Sequence, residues 1–198
     1  MKTTMDSRSN QLITLLACLL LFIGIGRIFS LVMHNPVLGY ANNYDMIRLQ
    51  ACHQIWPSDR IVNITAGTPA APLRRYTLDK HVDTPCFPSS ELLFTSIGIE
   101  AGKLKNHVTG EVLISIKTIG LVRAIFLAMT AMLISLYFYK RQMYAALLAN
   151  GLIVAVALSD PGITLYFNTF YTEFSAVYFL YLALFGIIVL AAGRWHVS

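Results

Sequence analysis

Four stretches, at about residues 11–33, 118–139, 143–158 and 174–193, are apolar almost without interruption, whereas the chain between the first two alternates polar, charged and proline-rich segments. About 20 apolar residues at 1.5 Å each cross roughly 30 Å of hydrocarbon, so the pattern predicts an all-α integral membrane protein of about four transmembrane helices. A long outer loop joins helices one and two. The third stretch is shorter than its neighbours and is expected to be extended by the Ser159-Asp160-Pro161-Gly162 turn or to lie less tilted. The expected divisions are 1–33, an N-terminal tail and helix one; 34–117, the outer loop with short helices; and 118–198, helices two to four with a short outer loop at 159–173. Residues 112–117 read as an amphipathic segment lying at the outer interface.

Composition fits this reading. Hydrophobic residues make up 56% of the chain and charged residues 13%, too apolar a balance for one soluble core of this length. The apolar run from Leu12 to Met33 is longer than a signal-peptide core and lacks a small-x-small cleavage pattern, so it is read as a retained anchor. Lys2 and Arg8 before helix one, Lys140 and Arg141 between helices two and three, and Arg194 after helix four place these ends in the cytoplasm. The long loop carries as many acids as cations, so the net charge of +5 lies outside it. That charge reports topology and gives no reason to propose nucleic acid as a partner.

Cys18 lies within helix one, while Cys52 and Cys86 share the outer loop, where an oxidising compartment would join them; two buried thiols are the alternative. No Cys/His spacing suggests a metal site. Asn63-Ile64-Thr65 fits a glycosylation acceptor only in a eukaryotic secretory setting, and the loop histidines follow no ligating pattern.

Two stretches carry candidate chemistry. The first, Asn35-Pro36 through Ala41-Asn42-Asn43-Tyr44-Asp45 to Arg48, leaves helix one at once, and its Asn/Asp cluster would cap a helix near Tyr44, with Asp45 and Arg48 on one face. That face is either the mouth of a cavity or a surface ion pair. The second runs from Asp160-Pro161 to Tyr166-Phe167-Asn168-Thr169-Phe170-Tyr171-Thr172-Glu173. Asp160 before Pro161 reads as a helix start, and Tyr166, Thr169, Phe170 and Glu173 are expected along one helical face. The aromatic residues also suit an interfacial belt, but an acid such as Glu173 at the start of an apolar span is costly unless it faces a wet cavity or a cation. Arg27 and Arg123, near the outer ends of helices one and two, either snorkel to headgroups or clamp a phosphate.

Together, the Asn-Pro-x-x-x-x-Ala-Asn-Asn-x-Asp segment and the Tyr-Phe-Asn-Thr-Phe-Tyr-x-Glu segment resemble the N-terminal part of bacterial GT-C type membrane glycosyltransferases of glycan assembly. The resemblance implies an inner-membrane, multi-pass protein with both termini cytoplasmic and the long loop periplasmic, using a polyprenyl-phosphate sugar as donor. It makes Asp45 the catalytic base, with Glu173 and Asp160 as further catalytic candidates. Asn42, Asn43, Arg48, Tyr166, Asn168 and Tyr171 are then substrate-binding candidates. No organic cofactor is implied, and a divalent cation is left open. Enzymes of that class generally have many more than four spans, so the resemblance fits a compact relative, an N-terminal portion, or a chain completed by a membrane partner subunit. Two rivals stand beside it. One is a non-catalytic subunit or scaffold of a glycan assembly complex; the other is a small transporter or channel subunit, for which the mid-span polar residues Thr130, Ser135 and Asn150 offer little.

Overall fold

A computed structural model of the chain describes residues 7–40, 44–58, 73–78 and 85–194. It is mostly helical. Helix α1 (Ser7–Val32) is followed by α2 (Tyr44–His53), α3 (Glu91–Thr109), α4 (Ile116–Lys140), α5 (Tyr144–Leu152) and, after a π-helical turn at Ile153–Leu158, the short α6 (Pro161–Thr164), a 3-10 turn at Leu165–Asn168 and α7 (Glu173–Arg194). Among the described residues, α1, α4 and residues Glu173–Ala191 of α7 are long and apolar enough to cross a membrane. The short third stretch is one arm of a bent pair: Tyr144–Leu158 and Pro161–Asn168 meet at 71°. The bend has a local cause. Asp160 is extended and its carboxylate accepts from the Gly162 N–H, starting a new helix in a new direction with Pro161 in the first turn.

The bundle is organised by one-sided stripes. In α1 the buried residues Ala17, Leu21, Gly24, Ile28 and Val32 recur every three or four positions, while Leu12, Leu15, Leu19 and Phe22 on other faces are exposed. The stripe meets α5 and the π turn at very short range. A Cβ on Gly24 would stand 2.8 Å from the Val154 carbonyl, and one on Gly151 would stand 3.0 Å from the Ala17 oxygen. Small residues let the backbones approach, as dispersion between apolar helices in lipid requires. The mid-span polar residues bond helix to helix: Asn150 donates to Ser135 Oγ (2.8 Å) and accepts from the Tyr181 hydroxyl (2.6 Å), and Thr130 pairs with the Tyr178 hydroxyl (2.7 Å).

A small cap sits over the end of the bundle where α1 stops and α4 begins. The all-α expectation is corrected here by a three-stranded antiparallel sheet of β1 (Ile55–Pro57), β2 (Arg75–Leu78) and β3 (Ile114–Ser115), in the order β1-β2-β3. Within residues 112–117, read as an amphipathic segment, Ile114 and Ser115 form β3 and Ile116 opens α4. Ile114 pairs with Tyr76 and is buried with Met46, Leu49, Ile55, Ile99, Ile116, Ile119 and Phe170 in a core separate from that of the bundle. Helix α3 joins the two cores. A Cβ on Gly98 would meet the Ile119 Cα at 2.9 Å, and Phe94 stacks edge-on against Phe126 of α4 and Phe174 of α7. Gly110, at φ 74°, ends α3 in the left-handed conformation that glycine adopts without strain. Cys52 at the end of α2 is bonded to Cys86, which ties α2 to the strand of chain entering α3.

The close approach at Gly24 gives a test of the bundle. Gly24→Ala is expected to cost about 1–3 kcal/mol, the range for overpacking, and to lower the thermal midpoint in detergent. Gly26→Ala, at a position inside α1 with open space around it, serves as the control and should not lower that midpoint.

Candidate functional site at the capped end of the helices

Arg123 and Glu91 are both fully buried, and Arg123 Nη2 lies 2.6 Å from Glu91 Oε1. The other terminal nitrogen, Nη1, donates to the carbonyls of Phe167 (2.5 Å) and Thr169 (2.6 Å), with Tyr166 O at 3.3 Å, and the guanidinium lies over the Phe174 ring. Glu91 Oε2 accepts the Ser175 N–H at 2.9 Å, while Ser90 Oγ donates to Ser175 Oγ. One ion pair thus joins α3, α4, the turn at 165–170 and the first turn of α7. Arg123 neither snorkels nor stands ready for a phosphate. Its charge is met by a carboxylate and by carbonyls that no helix uses.

That capture explains a second correction. Tyr166, Thr169, Phe170 and Glu173 do not share one helical face, because the chain leaves helical geometry at Thr169 (φ −141°, ψ 173°). Arg123 takes the carbonyls of Phe167 and Thr169, the second at the extended residue. Asn168 is buried in the same turn. Its amide nitrogen donates to Val32 O and Leu38 O, both at 2.9 Å, fastening the end of α1 and the segment that follows. Gly120 of α4 leaves room for that amide.

The two sequence stretches with candidate chemistry meet here. The Tyr40 hydroxyl donates to Gly162 O at 2.9 Å, and its ring lies 4.4 Å from that of Tyr166, which in turn meets Tyr171 edge-on at 6.1 Å. All three tyrosines are half-buried. Glu173 opens α7 beside them, close enough for its carboxylate to act on the Tyr166 hydroxyl, and its Oε2 is buried without a partner among the described residues. Asp160 is exposed and serves as the cap of α6. Lys117 donates to Met33 O and to Asn35 Oδ1 at the rim.

Other candidates lie apart or beyond description. Asn42, Asn43 and the side chain of Asp45 fall outside the described residues, as does Asn63-Ile64-Thr65; the backbone of Asp45 is in the first turn of α2. Arg48 is exposed, with its guanidinium 5.2 Å from the Phe87 ring. Arg27 is exposed on α1. Among the described residues no group of three His, Cys, Asp or Glu could hold a metal. Glu91 and Ser175 were not singled out in the sequence, and the partner of Glu91 lies on another helix.

His53, beside the disulfide, has its ring nitrogen 2.7 Å from Thr95 Oγ1. Burial, and secondarily the charge of Lys103, hold its imidazole below the usual histidine range, with Glu100 acting the other way. The folded cap therefore binds fewer protons than the unfolded chain just below pH 6.5. Its stability should fall as the pH drops from 7 toward 5, and His53→Gln should flatten that slope in a melt of the purified protein.

The ion pair gives a sharper prediction. Glu91→Leu or Arg123→Met alone should cost about 3–5 kcal/mol, since each leaves a buried charge unmatched. The double variant should melt above the sum of the two losses but below the parent, because the Phe167 and Thr169 carbonyls still lose their donor.

Comparison with protein-family models, with curated proteins and with solved structures returned no match for this chain.

Proposed function

We propose that this chain is a GT-C-like membrane glycosyltransferase, or the N-terminal portion of one, that transfers a sugar from a polyprenyl-phosphate donor to a glycan or lipid acceptor on the outer face of the inner membrane. The topology of this reading has four crossings, the bent pair counting as one, with both termini cytoplasmic and the cap periplasmic. The observation that carries it is the meeting of the two motif-bearing stretches: Tyr40 with Gly162 and Tyr166, Leu38 with Asn168, and near Tyr166 the Glu173 carboxylate, whose Oε2 is buried without a hydrogen bond among the described residues. Tyrosine faces suit the apolar side of a sugar ring, and a carboxylate suits its hydroxyls.

In this reading Asp45, five residues after Tyr40 in the sequence, takes the proton of the acceptor hydroxyl. The hydroxyl oxygen then bonds to the anomeric carbon, and the bond from that carbon to the phosphate oxygen breaks. The lipid phosphate leaves with the electron pair, and a cation such as Arg48 stabilises its growing charge. Glu173 holds and orients the sugar.

A second reading is favoured by one specific observation. Arg123, the buried cation nearest the tyrosines, is committed to Glu91 and to backbone carbonyls, so the chain keeps its shape with that charge already matched. A scaffold, or a subunit whose partner supplies the phosphate-binding cations, fits this as well.

Transfer from a panel of polyprenyl-phosphate sugars by the purified chain in liposomes separates the two. The enzyme reading expects product from the parent, a loss of at least 100-fold in Asp45→Asn, the low end for removing a general base, and a smaller loss with raised donor KM in Glu173→Gln. No product from folded parent protein with any donor, alone or with co-purifying membrane partners, overturns it.

A further inference from the structure

The exposed side of helix α3 carries four large apolar residues among polar ones: Leu93 is 56% exposed, Ile97 38%, Leu104 67% and Val108 78%. Its neighbours fix its depth. Glu91 pairs with Arg123 and Phe94 stacks on Phe126, while Gly98 faces Ile119 and Gly102 faces Ile114, so α3 runs antiparallel to the first part of α4 with its N-terminus deepest. About 20 helical residues cross the hydrocarbon. Counted back from Lys140, the basic end of α4, they reach the neighbourhood of Gly120. Arg123 and Phe126 lie within that length, and Glu91 and Phe94 lie beside them.

The charges of α3 change at the same level. Within residues 91–99 the single charge is Glu91, which is buried against Arg123. From residue 100 onward Glu100, Lys103, Lys105 and Glu111 follow, exposed and paired with one another: Lys103 with Glu100 at 2.6 Å and Lys105 with Glu111 at 3.0 Å. The buried root of α3 also packs toward the apolar span of α7. The Phe94 ring lies 6.4 Å from Phe179, which is exposed on α7, and α7 meets the rest of the protein along one side only.

We propose that residues 91–99 of α3 are immersed in the leaflet on the side of the cap, with lipid acyl chains against Leu93 and Ile97 and the headgroups at residues 100–105. The segment joining α1 to α4 is then not wholly outside the membrane. It dips into the leaflet as a half-helix, and the Glu91–Arg123 pair neutralises the charge at its tip. Lys103 and Lys105 sit where ammonium groups meet lipid phosphates, and Val108 stands clear in water.

The test is site-directed spin labelling of the full chain in liposomes, in a Cys18→Ser background with the Cys52–Cys86 disulfide intact. Single labels go at 93, 97, 104 and 108, all on the exposed face, and collision with oxygen is compared with collision with a water-soluble nickel chelate. Immersion predicts an oxygen-to-nickel ratio severalfold higher at 93 and 97 than at 108, with 104 between. Nickel access at 93 and 97 equal to that at 108 would place the whole helix in water and overturn the proposal. Exclusion of both reagents at 93 and 97 would overturn it as well, by showing that protein, a second copy or a partner helix, covers the face instead of lipid.

Discussion

The Glu91–Arg123 pair is the constraint on which the capped end depends. Two full charges out of water are costly, and attraction between them offsets that cost only when geometry is good and the remaining donors and acceptors are met. Here backbone meets part of that need, at Nη1 and at Glu91 Oε2, while Nε has no hydrogen bond among the described residues. Two carbonyls from the turn at 165–170 take one end of the guanidinium, and the first turn of α7 supplies an N–H to the carboxylate. A swap of both residues for apolar ones would remove the charges but strand those carbonyls in a dry interior. The pair therefore acts less as a source of net stability than as the reason this turn takes one shape.

That shape sets the position of the candidate chemistry. Thr169 is extended because of Arg123, and Asn168 one residue earlier grips Val32 and Leu38. Tyr40 and Tyr166 stack beside these two anchors, in which Arg123 Nη1 and the Asn168 amide nitrogen are committed to backbone carbonyls. The mid-span network around Asn150 does the same work deeper in the bundle, where Ser135 and Tyr181 satisfy an amide that lipid could not.

The apolar helices were legible because runs of such length admit few other readings, and the start of α6 was legible because Asp160-Pro161 is a local signal. Helix α2 and the Cys52–Cys86 pairing likewise rest on local pattern and on compartment. The sheet was not legible: β1 and β3 are three and two residues long, too short for alternation to register. Nor was the departure from helix at Thr169, since the residues around it suit a helical aromatic face and the cause is an arginine on another helix. Glu91 shows the same limit. Its residue type and place announce an ordinary helix start, and only tertiary contact reveals it as the partner of Arg123.

The order of residues in that lock also fixes the order in which it can close. During synthesis Glu91 is made first, Arg123 only after α3 and much of the cap, and the carbonyls at 167 and 169 and the Ser175 N–H later still. Until α7 begins, the arginine in α4 has a carboxylate but no carbonyls, and the tyrosines have no fixed frame. The capped end thus cannot be completed before α7 begins, and a ribosome that stopped short of α7 would leave the earlier helices present and the candidate site unmade.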